Sequence, residues 1–175
     1  MAKDTEIWYG TSTVFSGERV GFHVMRQRVI AMAADHGGVD LKDGLKNMLT
    51  GEGWHVLDLG TQGRDSVDYP DFAYRMAAAL ADGRAEVGVL ACGTGIGIGI
   101  AANRFAHVRA ALVHDAFTAR LARQHNDANV IVFGGRVITL EVAKDCLEIF
   151  LATAFEGGRH ARRVAKLAAP ELNKD

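Results

Sequence analysis

Residues 87–97 have the sequence VGVLACGTGIG, and this segment decides the fold. The continuously apolar run from Val87 to Ala91 predicts a short strand that is buried on both faces, as in a parallel sheet. The run ends at Cys92, glycine then occupies every second position over 93–97, and a stretch of helical period follows near 98–105. A strand, a glycine-rich turn and a helix in this order are typical of a βαβ unit.

The same alternation occurs on both sides of this segment. Four further apolar runs predict strands, and they cover Val29–Ala34, His55–Leu59, Ala110–Val113 and Val130–Phe133. Amphipathic stretches predict helices near 40–51, 70–82, 115–124 and 139–153. Because right-handed crossovers place helices on both faces of such a sheet, the sequence predicts a three-layer α/β/α, Rossmann-like single domain with a five-stranded parallel sheet.

The composition excludes several classes of protein. The 175 residues carry a formal net charge of −1, which gives no global field to attract nucleic acid or an anionic membrane. No apolar stretch reaches about 18 residues, so we expect no membrane span. Two cysteines form neither a disulfide framework nor a CxxC pair, and we expect a reducing, cytoplasmic location. Residues 1–24 lack a signal-peptide pattern, and three interpretations stay open for this extension before a domain over 25–175: a disordered segment, a non-native one or a native surface arm.

Polar and glycine-rich segments follow the predicted strands. Asp35-His36-Gly37-Gly38 follows the first strand, and a polar loop over 61–68 follows the second and leads into Tyr69. The glycine-rich turn follows the third strand, and Gly134-Gly135-Arg136 follows the fifth. His125-Asn126 ends the helix before the fifth strand. Because the sheet is parallel, all of these segments except His125-Asn126 should emerge at its carboxyl edge, where ligands of such sheets bind, and we expect a shared pocket.

Cys92 is the sharpest candidate for chemistry in this pocket. Inward-pointing amides of the turn and the start of the next helix favour a thiolate, which can act as a base. Thr94 and the amides of residues 93–97 can hydrogen-bond an oxyanion. Two alternatives stay open at this point. Cys92 can be a small buried hydrophobe, or the turn can bind a dinucleotide, although Ile98 or Ile100 replaces the third glycine of GxGxxG.

Six segments resemble the type B ribose-5-phosphate isomerases in sequence, order and spacing. They are ADHGG (34–38), SVDYPD (66–71), CGTGIGI (92–98), AANR (101–104), RQHNDANV (123–130) and EGGRHARRV (156–164). The resemblance runs from about residue 28 to 168. That family includes isomerases of ribose, allose, galactose and four-carbon sugar phosphates. The resemblance therefore implies an aldose-ketose isomerase of a sugar phosphate, with ribose 5-phosphate as the first candidate and the others as alternatives.

The resemblance also implies a role for each site residue. Cys92 would move the proton between C1 and C2 through an enediolate, with Thr94 beside it, and His125 would open the sugar ring. The implied substrate ligands are Asp35, His36, Tyr69, Gly93, Gly95, Ile96, Gly97, Asn126, Arg136, Arg159 and Arg163. Among these, the arginines would bind the phosphate. No metal or cofactor is implied, and a neighbouring subunit would complete the site in a homodimer or a dimer of dimers.

Several of these residues have ordinary structural explanations when each is considered alone. His125 can be a histidine at a helix C-terminus that interacts with the last carbonyls. Asp35 can be a turn residue or a helix N-cap. Arg159 and Arg163, which share a helix face, can belong to a solvated basic tail. A non-catalytic sugar-phosphate sensor would need the arginines and the glycine-rich turn but not the thiol of Cys92.

Overall fold

The computed structural model describes residues 28–169, so the predicted extension over 1–24 lies outside the described residues. Within this range, strands and helices alternate. They are β1 Val29–Ala34, α1 Val39–Gly51, β2 His55–Asp58, α2 Tyr69–Ala81, β3 Val87–Cys92, α3 Ile96–Ala102, β4 Ala110–Leu112, α4 Ala116–Asn126, β5 Val130–Gly134, α5 Leu140–Ala152 and α6 Arg159–Ala168. None of the helices over 28–169 is long and apolar enough to cross a membrane.

The strands form one parallel sheet in the order β2-β1-β3-β5-β4, which confirms the predicted fold class. The chain leaves β1 toward β2 on one side and later returns to place β3 on the other side. This change of direction opens a crevice at the carboxyl ends of β1 and β3. The segments that follow Ala34 and Cys92 lie at that crevice, which is where a ligand of this fold is expected.

Alternate residues of the strands fill two apolar layers, one on each face of the sheet. Ile30 and Met32 of β1 pack in the layer under α1 and α5. Ala31 and Ala33, between them in sequence, pack in the layer under α2 and α3. Burial on both faces explains why the strands are continuously apolar instead of alternating.

The helix after Cys92 begins earlier than the sequence predicted, at Ile96 instead of near 98, and it ends at Ala102. Gly95 makes the early start possible, because its φ of 79° is a left-handed conformation that favours glycine. A Cβ at this position would collide with Cδ1 of Leu112 and lie 3.0 Å from the carbonyl of Phe133. Any larger residue would therefore push the turn away from β4 and β5.

Lys42, Lys46 and Asp58 form an ionic cluster between α1 and the end of β2. Nζ of Lys42 lies 3.0 Å from one carboxylate oxygen of Asp58, and Nζ of Lys46 lies 2.7 Å from the same oxygen. Burial opposes ionisation of Asp58, but hydrogen bonds from Lys46, Gly60 and Lys42 outweigh it and lower the pKa of Asp58 to about 2. Asp58 is thus ionised at all but strongly acidic pH.

This lowered pKa predicts a loss of stability in acid. A carboxylate with a lower pKa in the folded state stabilises that state above its ordinary pKa of 3.8, and the contribution disappears as the pH falls toward 2. We expect Asp58 to contribute about 2 kcal/mol near neutral pH, of which about half is lost by pH 3. Urea denaturation at pH 5 and pH 3 measures the loss. Asp58→Asn should show a smaller loss, and an equal loss in both proteins would contradict the prediction.

Candidate active site

Cys92 ends β3 at the carboxyl edge of the sheet, and its side chain is almost completely buried. Its Sγ accepts a hydrogen bond from the backbone N–H of Gly95 at 3.1 Å. Thr94, between them, is exposed, and its Oγ1 accepts from the N–H of Ile96 at 3.4 Å. The glycine-rich turn therefore wraps around the sulfur with an amide donor aimed at it.

Backbone hydrogen bonds bring the neighbouring strand exits against this turn. The N–H of Asp35 donates to the carbonyl of Ala91 at 3.2 Å, and the N–H of Arg136 donates to the carbonyl of Gly93 at 3.0 Å. The exits approach closely at Gly135, where a Cβ would lie 2.6 Å from the carbonyl oxygen of Gly37. The exits of β1, β3 and β5 therefore form one continuous surface.

Asp35 and His36 lie on this surface, and backbone N–H groups hold both side chains in place by hydrogen bonds. The buried carboxylate of Asp35 accepts from the N–H groups of Gly37 at 2.8 Å and Gly38 at 3.1 Å. Asp35 is therefore a turn residue, and the N-cap of α1 is Gly38. Nδ1 of His36 accepts from the N–H of Val67 at 3.2 Å, so the neutral ring carries its proton on Nε2.

Tyr69 and Arg136 border the turn on two sides. Tyr69 begins α2, and its ring lies so close to Gly97 that a Cβ there would be 2.6 Å from Cζ of the tyrosine. The guanidinium of Arg136 lies over Gly93, where a Cβ would be 3.5 Å from its Cζ. We call this group the carboxyl-edge cluster, and its members are Asp35, His36, Tyr69, Cys92, Gly93, Thr94, Gly95, Ile96, Gly97 and Arg136.

His125 and Asn126 lie away from the carboxyl-edge cluster, as expected for residues that end a helix and not a strand. They end α4, which runs back from the carboxyl end of β4 to the amino end of β5. The carboxylate of the next residue, Asp127, accepts a hydrogen bond at 2.9 Å from the guanidinium of Arg109, which precedes β4. About five residues of β5, or roughly 15 Å, separate this edge from Cys92. His125 and Asn126 lie at the amino edge because α4 runs antiparallel to the strands.

The start of α6 packs on the end of α4 at this amino edge. The rings of His125 and His160 are stacked, with centroids 4.2 Å apart and an interplanar angle of 6°. Nε of Arg159 donates to Nε2 of His160 at 3.2 Å, and Arg163 follows one turn later on the same helix. We call this second group the amino-edge cluster, and its members are His125, Asn126, Arg159, His160 and Arg163.

Glu156 completes a set of possible metal ligands with the two histidines. Its Oε2 lies 4.0 Å from Nε2 of His125 and 3.8 Å from Nε2 of His160. Stacked parallel rings direct their nitrogen lone pairs in parallel and not at a common ion, and Arg159 already occupies Nε2 of His160. The set therefore does not have metal-site geometry. Burial, with the charges of His125 and Arg159, lowers the pKa of His160, so its ring is neutral at pH 7.

A cavity of about 930 Å³ also opens at the amino edge of the sheet, lined by Arg28, Trp54, Arg123 and Phe150 among others. It contains none of the predicted site residues. The carboxyl-edge cluster, in contrast, forms an open surface in one chain. Large apolar side chains are exposed at or beside this edge, and they include Ile96, Ile100, Phe117 and Val137, each more than half exposed. Exposed apolar side chains gathered beside a polar site are typical of a surface that another protein covers.

Comparisons with known proteins identify the family of this chain. The Ribose/Galactose Isomerase family model matches residues 30–167 of the chain. Ribose-5-phosphate isomerase B of Escherichia coli is 44% identical over 146 residues, which are 83% of this chain and 98% of that protein. D-erythrulose-4-phosphate isomerase of Pectobacterium atrosepticum is 42% identical over 140 residues, which are 79% of this chain and 91% of the relative.

Solved structures show the same fold. A ribose 5-phosphate isomerase of Thermotoga maritima is 47% identical, with a TM-score of 0.80 over 81% of this chain and 97% of the other. The type B ribose 5-phosphate isomerase of Trypanosoma brucei is 40% identical, with a TM-score of 0.79 over 83% of this chain and 99% of the other. Family model, identity and fold agree over nearly all of the described residues. The chain therefore belongs to the ribose/galactose isomerase family.

Proposed function

We propose that this protein interconverts ribose 5-phosphate and ribulose 5-phosphate by proton transfer through an enediolate, in the cytoplasm and with no metal. The observation that carries the proposal is the buried Sγ of Cys92, which lies under the N–H of Gly95 at 3.1 Å. A sulfur in this place can accept a proton while the surrounding amides stabilise negative charge. Family relatives that are isomerases of ribose 5-phosphate support the choice of substrate.

In the proposed reaction, the Cys92 thiolate takes the proton from C2 of the open aldose. The electron pair left at C2 forms the C1–C2 double bond, and the carbonyl oxygen at C1 becomes an enediolate oxygen. Amides of the 93–97 turn and the hydroxyl of Thr94 hydrogen-bond the reacting oxygens. The hydroxyl proton then moves from O2 to O1, the Cys92 thiol returns the carbon-bound proton to C1 and the carbonyl forms at C2, so the thiolate is regenerated and the overall charge is unchanged.

The site is assembled from two copies of the chain in this proposal. The carboxyl-edge cluster of one copy meets the amino-edge cluster of the other, because the two are about 15 Å apart within a copy. His125 of the second copy then opens the sugar ring, and Arg159 and Arg163 join Arg136 at the phosphate. The exposed apolar residues around the carboxyl edge supply the interface. A homodimer, alone or as half of a dimer of dimers, has two such sites.

The alternative is the same chemistry on another sugar phosphate, and the similarity to D-erythrulose-4-phosphate isomerase favours keeping it. Isomerisation of ribose 5-phosphate, allose 6-phosphate, galactose 6-phosphate and erythrose 4-phosphate, measured in the presence of a chelator, separates the substrates. The highest kcat/KM on ribose 5-phosphate would support the proposal. If activity is higher on another sugar phosphate, that compound would replace ribose 5-phosphate as the proposed substrate. Binding of these sugar phosphates without turnover would indicate a sensor.

Arg136→Ala is expected to raise KM about tenfold or more while kcat changes little, because the guanidinium binds phosphate equally in substrate and transition state. Steady-state kinetics on ribose 5-phosphate measure both constants. Arg162→Ala is the matched control, since that exposed arginine belongs to neither cluster. A fall in kcat with an unchanged KM would contradict phosphate binding by Arg136.

A further inference from the structure

Lys42 is a charged residue among the otherwise apolar buried residues of α1. It lies on α1 with its side chain completely buried, beside the apolar core residues Leu41 and Leu45. Replacing a buried ion pair by well-packed apolar residues is often neutral or stabilising in proteins. The charge of Lys42 therefore points to a role beyond holding α1 against the sheet.

The ammonium group of Lys42 is fully committed to two carboxylates. Nζ donates to both oxygens of Asp58, at 3.1 and 3.0 Å, and to Oδ1 of Asp43 at 2.7 Å. Asp58 is the last residue of β2, and its Oδ1 also accepts from the N–H of Gly60 at 3.0 Å. Lys42 thus orients the carboxylate that fixes the beginning of the loop over 59–68.

Hydrogen bonds near both ends of this loop connect it to the exit of β1. The carbonyl of Gly60 accepts from the N–H of Ala34, and the N–H of Thr61 donates to the carbonyl of Ala34, both at 2.7 Å. Near the other end, the N–H of Val67 donates to Nδ1 of His36 at 3.2 Å. Hydrogen bonds joined by short backbone segments therefore connect the buried ammonium to Ala34, which precedes Asp35, and to His36.

We propose that Lys42 is a positioning residue for the substrate, which acts through Asp58 and the 59–68 loop on Asp35 and His36. The proposal rests on the proposed function. Lys42 does not touch the substrate, and it has no direct contact with the turn around Cys92. Its loss therefore weakens substrate binding and leaves proton transfer at Cys92 nearly intact.

Lys42→Met, which keeps the length of the side chain and removes its charge, tests the proposal. We expect KM for the preferred sugar phosphate to rise about tenfold, because small displacements of substrate-positioning groups have large effects. We expect kcat and the rate of Cys92 alkylation in the free protein to stay within about twofold of wild type. Lys46→Met is the matched control. It removes a second, partly exposed partner of Asp58, and its KM should change less than about twofold.

Asp58→Asn provides an independent variant in case Lys42→Met does not fold, as judged by its circular dichroism and melting temperature. It keeps an acceptor for Gly60 but removes the charge that Lys42 binds, so KM should again rise while kcat holds. A folded Lys42→Met or Asp58→Asn with wild-type KM would overturn the positioning role alone. Equal KM changes in Lys42→Met and Lys46→Met would also overturn it. A wild-type protein inactive on every sugar phosphate would overturn the proposed function as well.

Discussion

Cys92→Ala is expected to lower kcat/KM on the preferred sugar phosphate by about 10³-fold, because it removes the proposed base and leaves no group to replace it. The fold should persist, since alanine fits at the end of β3 and only the bond from Gly95 to sulfur is lost. Cys92→Ser should be similarly inactive, because a hydroxyl hardly ionises near neutral pH. Steady-state kinetics of both variants measure the loss of activity, and their melting temperatures show whether the fold persists.

Cys146 provides the control, because it is the other cysteine and belongs to the α5 core. Burial raises the pKa of the Cys146 thiol, so it should react slowly with iodoacetamide. Cys146→Ala should keep its activity, and alkylation of that variant at Cys92 should inactivate it, with sugar phosphate giving protection. Full activity in Cys92→Ala would exclude Cys92 as the base.

Much of the fold was predictable because burial on both faces leaves a clear signal. The runs over Val29–Ala34 and Val87–Ala91 match β1 and β3 to within one residue. The strand order was not predictable, because it depends on which exits can approach closely. Contacts such as that of Gly135 with Gly37 have no signature beyond the presence of glycine.

The carboxyl-edge cluster was predictable for a related reason. Parallel strands bring their exits together, so Asp35, Cys92 and Arg136 could be placed side by side from the sequence alone. His125 could be excepted from this edge by the same reasoning. The helix that follows a parallel strand runs back along the sheet, so its last residues lie at the amino edge.

Side-chain pairings between distant segments could not be predicted. Lys42 stands next to Leu41 on an amphipathic helix, and its sequence position does not reveal that Asp58 is its partner. The stacking of His125 on His160 likewise depends on how α6 meets α4. Both pairings arise from tertiary packing, which periodicity and local motifs do not encode.

His125→Ala is expected to reduce turnover of cyclic ribose 5-phosphate by about 10²-fold, since ring opening loses its acid-base group. Ribulose 5-phosphate cannot close into the same ring, so its initial rate of conversion should fall less. Coupled assays in the two directions measure the difference. Equal losses in both directions would contradict a ring-opening role.

Mixing His125→Ala with Cys92→Ala should restore activity if each site takes residues from two copies. In a random mixture of equal amounts, half of the dimers are mixed, and one of the two sites in each mixed dimer carries both intact residues. The expected recovery is therefore about a quarter of wild-type activity. The subunits are exchanged by co-expression with different affinity tags, and doubly purified mixed dimers should have about half of wild-type activity.

The matched control is a mixture of Cys92→Ala with Cys92→Ser. These substitutions fall in the same cluster, so no mixed dimer has an intact site and activity should stay at the level of the single variants. The mixture of His125→Ala with Cys92→Ala differs from this control because its two substitutions fall in different clusters. Purified mixed dimers of that pair without activity would contradict the two-copy site, because the separation of about 15 Å between the clusters would then have to be closed within one chain. Recovery in this pair alone locates His125 opposite the Cys92 of another copy.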